Sequence, residues 1–141
     1  MKLFLDANVL VAVLNKEYPI FSYAAKILSL SDRPNFELST SPTCIAIAFY
    51  FASKKSGQKL AKTKIQSLLN HINLTSVDEE CTKKAVQNPK VIDLEDGIQN
   101  YSAEKFGCQY IITENVADFY FSNLKVISCE AFLKHGLTGV M

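Results

Sequence analysis

Apolar and polar positions along the chain alternate between short apolar runs and longer stretches with helical spacing, and Gly, Pro, Asn, Asp or Ser clusters separate them. Lys2–Asp6 is a short, mostly apolar strand. The run NVLVAVLN over Asn8–Asn15 suits a buried strand or a helix by pattern alone. The Asp6-Ala7-Asn8 break favours a strand that stops and a helix that starts. Pro19–Leu30 reads as a helix with proline in its first turn and Ile20, Ala24, Ile27 and Leu28 at helical spacing. The loop Ser31–Asn35 leads to a second strand, Phe36–Thr40. Ser41-Pro42 then opens a third helix, with serine as cap and proline at the first helical position. Its body, Thr43–Ala52, is almost wholly apolar, which predicts a buried helix.

Further along, Gln58–Asn70 is an amphipathic helix and Asn73–Val77 a third strand. Asp78–Gln87 is a helix capped by Asp78 and broken at Asn88-Pro89, and Asp93–Phe106 is a helix ended by Gly107. QYIIT (Gln109–Thr113) and KVIS (Lys125–Ser128) complete five strands. A last helix runs from Cys129 to His135, ended by Gly136. Strands separated by helices predict a three-layer α/β/α fold with a central parallel sheet. In such sheets ligands bind beyond the carboxyl ends of the strands, where the strand order reverses. The positions to inspect are therefore Asp6, Ser39-Thr40-Ser41, Asp78, Thr113-Glu114-Asn115 and Ser128.

Composition narrows the class. The 141 residues suit one domain, 1–141, with enough length to bury a core. Hydrophobic content of 48% and charged content of 21% are those of a soluble globule. No apolar run is long enough for a membrane span, and Asp6 interrupts the N-terminal apolar stretch at once, so neither a membrane location nor a signal peptide is expected and the chain is expected to be cytoplasmic. The four cysteines, Cys44, Cys81, Cys108 and Cys129, have no CxxC spacing, which predicts thiols rather than a disulfide framework or zinc site. A net charge of +1 announces no overall basic field. Lys54, Lys55, Lys59, Lys62 and Lys64 form a local basic stretch that suits either phosphate contact or the solvated face of a helix.

The chemistry-bearing residues are acids. Asp6 ends a buried strand, where a charge needs a partner or a metal; capping the next helix is an equal reading. Asp93, Glu95 and Asp96 stand at a helix start, which the helix dipole favours, although Asp96 lies too far in to be explained by capping. Thr113, Glu114, Asn115 and Asp118 follow the fourth strand. Carboxylates within about 4 Å of one another repel by roughly 4 kcal/mol per pair at an effective dielectric near 20, so a cluster of them favours a cation between them or protonation. Mg²⁺ and Mn²⁺ take such oxygen ligands. No histidine spacing, phosphate-binding glycine loop or nucleophile elbow supports other chemistry.

The opening LFLDANVLVAVL resembles the start of a PIN domain, a strand ending in Asp followed by x-Asn-Val-Leu. The stretch DLEDGIQNYSAEKFGCQYIITENVADFYFSNLKVISCEAFL resembles the C-terminal half of that family more closely. The nearest subgroup is the bacterial PIN proteins related to toxins of the VapC type. The resemblance implies strand order 3-2-1-4-5 and a Mg²⁺- or Mn²⁺-dependent endoribonuclease. It implies Asp6, Asp96 and Asp118 as metal ligands, with Asn115 and Thr113 completing the catalytic group and orienting waters. It also implies an RNA substrate, an antitoxin protein that blocks the site, and a homodimer. One departure stands out. The family usually has a Glu in the third helix, whereas SPTCIAIAFYFASKK contains no acid and Ala46 or a neighbour takes that place. The departure leaves open a PIN-like module that binds RNA or a protein without cutting. Unrelated α/β folds with Asp after the first strand, such as receiver-like domains, fit less well, because Lys125 begins a strand instead of following one.

Overall fold

In a computed structural model, which describes residues 1–136, five short strands form one parallel sheet. The strands are β1 (Lys2–Leu5), β2 (Glu37–Thr40), β3 (Asn73–Leu74), β4 (Tyr110–Ile112) and β5 (Lys125–Ile127), in the order β3-β2-β1-β4-β5. That is the order the resemblance implied. The helices are α1 (Ala7–Leu14), α2 (Ile20–Ser29), α3 (Pro42–Ser56), α4 (Gln58–Leu68), α5 (Glu79–Gln87), α6 (Leu94–Phe106) and the short α7 (Cys129–Ala131), which widens into a further turn over Phe132–Gly136. The chain winds outward from β1 through β2 to β3, then crosses to β4 and β5. The order therefore reverses between β1 and β4.

The two central strands are almost entirely buried. Leu3, Phe4 and Leu5 of β1 lie beside Tyr110, Ile111 and Ile112 of β4 in register. Burial on both faces of the sheet explains why these strands read as continuous apolar runs. The pairing continues one step past each strand: the Asp6 amide donates to the Ile112 carbonyl at 3.0 Å, and the Thr113 amide to the Ile127 carbonyl at 3.0 Å. Asp6 and Thr113 thus end adjacent strands side by side. Helix α1 packs against α2 and α3, α3 against α4, and α5 against α6.

Two expectations change. The third strand is a two-residue exposed edge instead of Asn73–Val77, and the Thr75 amide adds a single bond to the Thr40 carbonyl at 2.8 Å. Beyond Leu74 the chain bonds to α6 instead: the Ser102 hydroxyl meets the Thr75 hydroxyl and donates to the Ser76 carbonyl, both at 2.6 Å. Helix α3 is not buried all round. Its core face is the small-residue row Cys44, Ala48 and Ala52, fully buried, while Tyr50 and Phe51 are half exposed. Small residues form the buried side of α3, which packs against α1 and α4, and the bulky ones fall on other faces.

Gly97 sets the place of α6. A Cβ there would come within 2.6 Å of a Val91 methyl and 3.0 Å of the Ala85 Cβ, so only glycine permits this approach of α5 and the loop after it. Gly107, at φ 88°, closes α6 in the left-handed conformation.

Candidate acidic cleft at the strand switch point

At the reversal between β1 and β4 a cleft of about 420 Å³ opens beyond the strand ends. One wall is acidic, with Asp93, Glu95 and Asp96 from the start of α6 and Asp118 from the 3-10 turn Val116–Phe119. Asp6 lies at the back, and Ile47 and Phe51 of α3 form the facing wall. Four of the five residues singled out from the sequence, Asp6, Asp96, Asn115 and Asp118, therefore line one cleft. The fifth, Thr113, is fully buried behind it and touches Asp6.

Asp6 is held on both oxygens. Its Oδ1 accepts the Ala7 amide at 2.8 Å and lies 3.9 Å from the Cys44 thiol, while Oδ2 accepts the Thr113 hydroxyl at 2.8 Å and the Asn8 side-chain amide at 3.3 Å. Capping and cleft-facing are thus both true of this residue. Burial pushes its carboxyl above the usual aspartate range, an effect opposed by the Thr113, Ala7 and Cys44 hydrogen bonds and reinforced by the charge of Asp118. Burial, with Asp6 next to it, pushes the Cys44 thiol up to about 12, so it stays a neutral donor.

Asn8 ties the two strand ends together. Its side-chain amide also donates to the Thr113 hydroxyl oxygen at 3.1 Å, and its Oδ1 accepts the Glu114 amide at 3.1 Å. The Asn115 amide donates to the same Thr113 oxygen at 3.1 Å, and the Asn115 side chain caps nothing and lines the cleft. Glu114 turns away, its carboxylate accepting the Cys129 amide at 3.0 Å at the start of α7.

Asp93 is the cap of α6, accepting the Glu95 and Asp96 amides at 2.9 and 3.4 Å. Asp96 has no such explanation. It is half-buried, and its carboxyl is pushed up to about 7 by burial first and then by the charges of Asp93, Asp6, Asp118 and Glu95. Glu95 is raised as well, by burial and then by Asp93 and Asp6. The acids therefore act on one another across the cleft. Among the described residues no three acidic, histidine or cysteine side chains converge tightly enough to ligate one ion directly. The donor set suits a hard, hydrated cation: every donor is oxygen, and Mg²⁺ is commonly held by one or two carboxylates while keeping several waters.

The place opposite these acids, expected at Ala46 or a neighbour, is taken by the neighbour Ile47. Ala46 faces an apolar groove between α3 and α4, whereas Ile47 and Phe51, one turn apart, face the cleft. Sequence reasoning also gave no role to Asn8 or Cys44, nor to Glu17, which reaches the cleft from the turn after α1. The spacing of Asn8 two residues beyond the strand-ending acid was the one available signal. The basic stretch divides: Lys55 donates to the Asn15 carbonyl and Lys64 to the Leu14 carbonyl at 3.1 Å, so both satisfy the end of α1.

A parallel sheet of this order, with acids from both halves meeting at its switch point, defines a PIN-type α/β protein. Residues 2–117 match the PIN domain family, and the chain belongs to it. It is 27% identical over 135 residues to ribonuclease VapC1 of Aquifex aeolicus (strain VF5), covering 93% of this chain and 92% of that protein. In structure it is similar to VapBC2 from Rickettsia felis, solved bound to a DNA fragment from its promoter, with a TM-score of 0.70, 18% identity, and 91% and 98% of the two chains covered. VapBC-1 from nontypeable Haemophilus influenzae gives a TM-score of 0.70 at 20% identity, covering 92% and 99%.

Proposed function

We propose that this chain is a divalent-metal-dependent endoribonuclease, the toxin of a toxin–antitoxin pair. The observation that carries the reading is that Asp6, Asp96 and Asp118 line one cleft, where the charge of Asp118 opposes ionisation of Asp6 and the charges of Asp6 and Asp118 oppose that of Asp96. Acids whose charges oppose one another this way favour a cation among them. Asp6 and Asp96 would hold Mg²⁺ or Mn²⁺, with Asp118 at the rim acting through waters. When bound, the ion supplies an activated water and stabilises charge on the scissile phosphate.

The chain's own residues prepare that chemistry. The hydroxyl of Thr113 and the amide of Asn8 fix the Asp6 carboxylate, so its orientation costs nothing at the moment of reaction. Asn115, free of any cap bond, orients water at the cleft mouth. Family membership and the likeness to ribonuclease VapC1 support RNA as the substrate. The likeness to the two VapBC structures supports an antitoxin that covers the cleft, and a homodimer belongs to the same proposal.

A second reading has its own observation. Ile47 and Phe51 stand where an acid would complete the cleft, and among the described residues no three acids meet closely; this favours a module that binds RNA or a protein without cutting it. The two part on one experiment. Wild type with Mn²⁺ should cut a mixed set of structured RNAs, and Asp6→Asn should lower the rate by at least roughly a hundredfold, because the strand-end ligand is lost. Wild type and Asp6→Asn behaving alike would leave only the binding module.

A further inference from the structure

We propose that Phe51 and Tyr50 of α3, with Lys54 beside them, form a platform on which an unpaired RNA base stacks next to the acidic cleft. The inference deepens the ribonuclease reading and rests on its choice of RNA.

Three features of the facing wall lead to it. First, Phe51 lines the cleft yet stays 47% exposed, so its ring is offered to whatever enters. Second, Tyr50 is 50% exposed and meets Phe51 edge to face, with centroids 5.2 Å apart and an interplanar angle of 88°. That contact stiffens both rings. Third, the Lys54 ammonium sits 4.5 Å from the Tyr50 ring centroid, which sets a cation beside the aromatic pair.

Charge decides between RNA and a basic peptide, either of which could use an aromatic surface. From Leu38 to Val77 the chain holds five lysines and no Asp or Glu. Lys55 and Lys64 bond to the end of α1 and Lys62 borders the apolar α3–α4 groove, which leaves Lys54 beside the rings and Lys59 exposed further along. On this side of the cleft the lysines repel a basic peptide, while the acids of the opposite wall take a phosphate only with the divalent ion between them. A nucleic-acid strand would cross from lysines to the cleft with a base on Phe51, and its scissile phosphate would meet the acids through the divalent ion. Stacking requires a free π-face, so the favoured strand is unpaired. The absent third-helix acid gains a positive reading: that face of α3 serves to grip a base.

The chain contains no tryptophan, so Phe51→Trp is a single-fluorophore reporter that keeps an aromatic ring. In EDTA, where nothing is cut, saturating single-stranded RNA should quench its emission. A duplex of the same sequence should not. By anisotropy, Phe51→Ala should weaken single-strand binding by roughly fivefold or more while its thermal melt stays cooperative. Lys54→Ala should lower the slope of log affinity against log salt by about 0.7. Emission unchanged by RNA, unchanged affinity in Phe51→Ala, or quenching by an arginine-rich peptide but not by RNA would each overturn the platform. The two proposals fail separately. Stacking by a wild type that never cuts sinks the nuclease alone, and cutting that ignores Phe51 sinks the platform alone.

Discussion

Without divalent ions, this protein should lose stability as pH rises from about 5 to 8, and Asp96→Asn should remove much of that loss. Raising an aspartate from its ordinary 3.8 to about 7 corresponds to about 4 kcal/mol of opposition to the charged form. About half of the Asp96 carboxyl faces water, and screening reduces this to about 1–2 kcal/mol. The folded state holds the proton more tightly than the unfolded chain does. The penalty is therefore absent below the unfolded value, grows as pH climbs, and is complete above about 7. Asp6 and Glu95, also raised, add in the same direction. Asp78, Glu80 and Glu130 are held below the usual carboxylate range, chiefly by their lysine partners, so their contribution is lost at still lower pH and lies outside this window. Thermal melts in EDTA at pH 5 and pH 8 read the effect. At pH 8, Asp96→Asn should melt about 3–8 °C above wild type, with a smaller gap at pH 5. Mg²⁺ at pH 8 should raise the wild-type midpoint and barely move the variant. If Asp96→Asn melts below wild type at pH 8 in EDTA, the repulsion attributed to the cleft is not there.

Two further outcomes test the wiring of the cleft. Thr113→Val keeps the side-chain shape but removes the 2.8 Å hydrogen bond to Asp6; it should cost about 1.5–3 kcal/mol in denaturant unfolding at neutral pH and slow RNA cutting. Ile47→Glu restores an acid to the facing wall and should tighten Mn²⁺ binding by about tenfold, with a gain in cutting rate; weaker binding would mean that Ile47 does not face the ion.

Much of the frame was legible before any coordinates. Short apolar runs broken by capped helices give the strands, and a carboxylate ending a buried strand marks Asp6, because so costly a position needs a partner. Thr113 could be singled out as the end of a β-branched strand. The pairing of strand ends was harder to see. Asn8 and Thr113 are 105 positions apart and touch only because β1 and β4 are neighbours. The orientation of α3 was illegible for a related reason. A helix apolar on every side has no pattern to say which face is buried, so Ala46 and Ile47 could be told apart only once Cys44, Ala48 and Ala52 were seen against the core. Asp96 was legible as the acid that capping leaves over, and the amides at the helix start do claim Asp93 while Asp96 stays half-buried in the field of its neighbours.

The most direct measurement is a Mn²⁺ titration of the metal-free protein followed by electron paramagnetic resonance. Wild type should take up about one ion per chain, with Asp6→Asn and Asp96→Asn each weakening it by roughly tenfold or more and the distant Glu80→Gln leaving it unchanged. Uptake that is absent, or equal in all four proteins, would contradict a cation site at the end of β1.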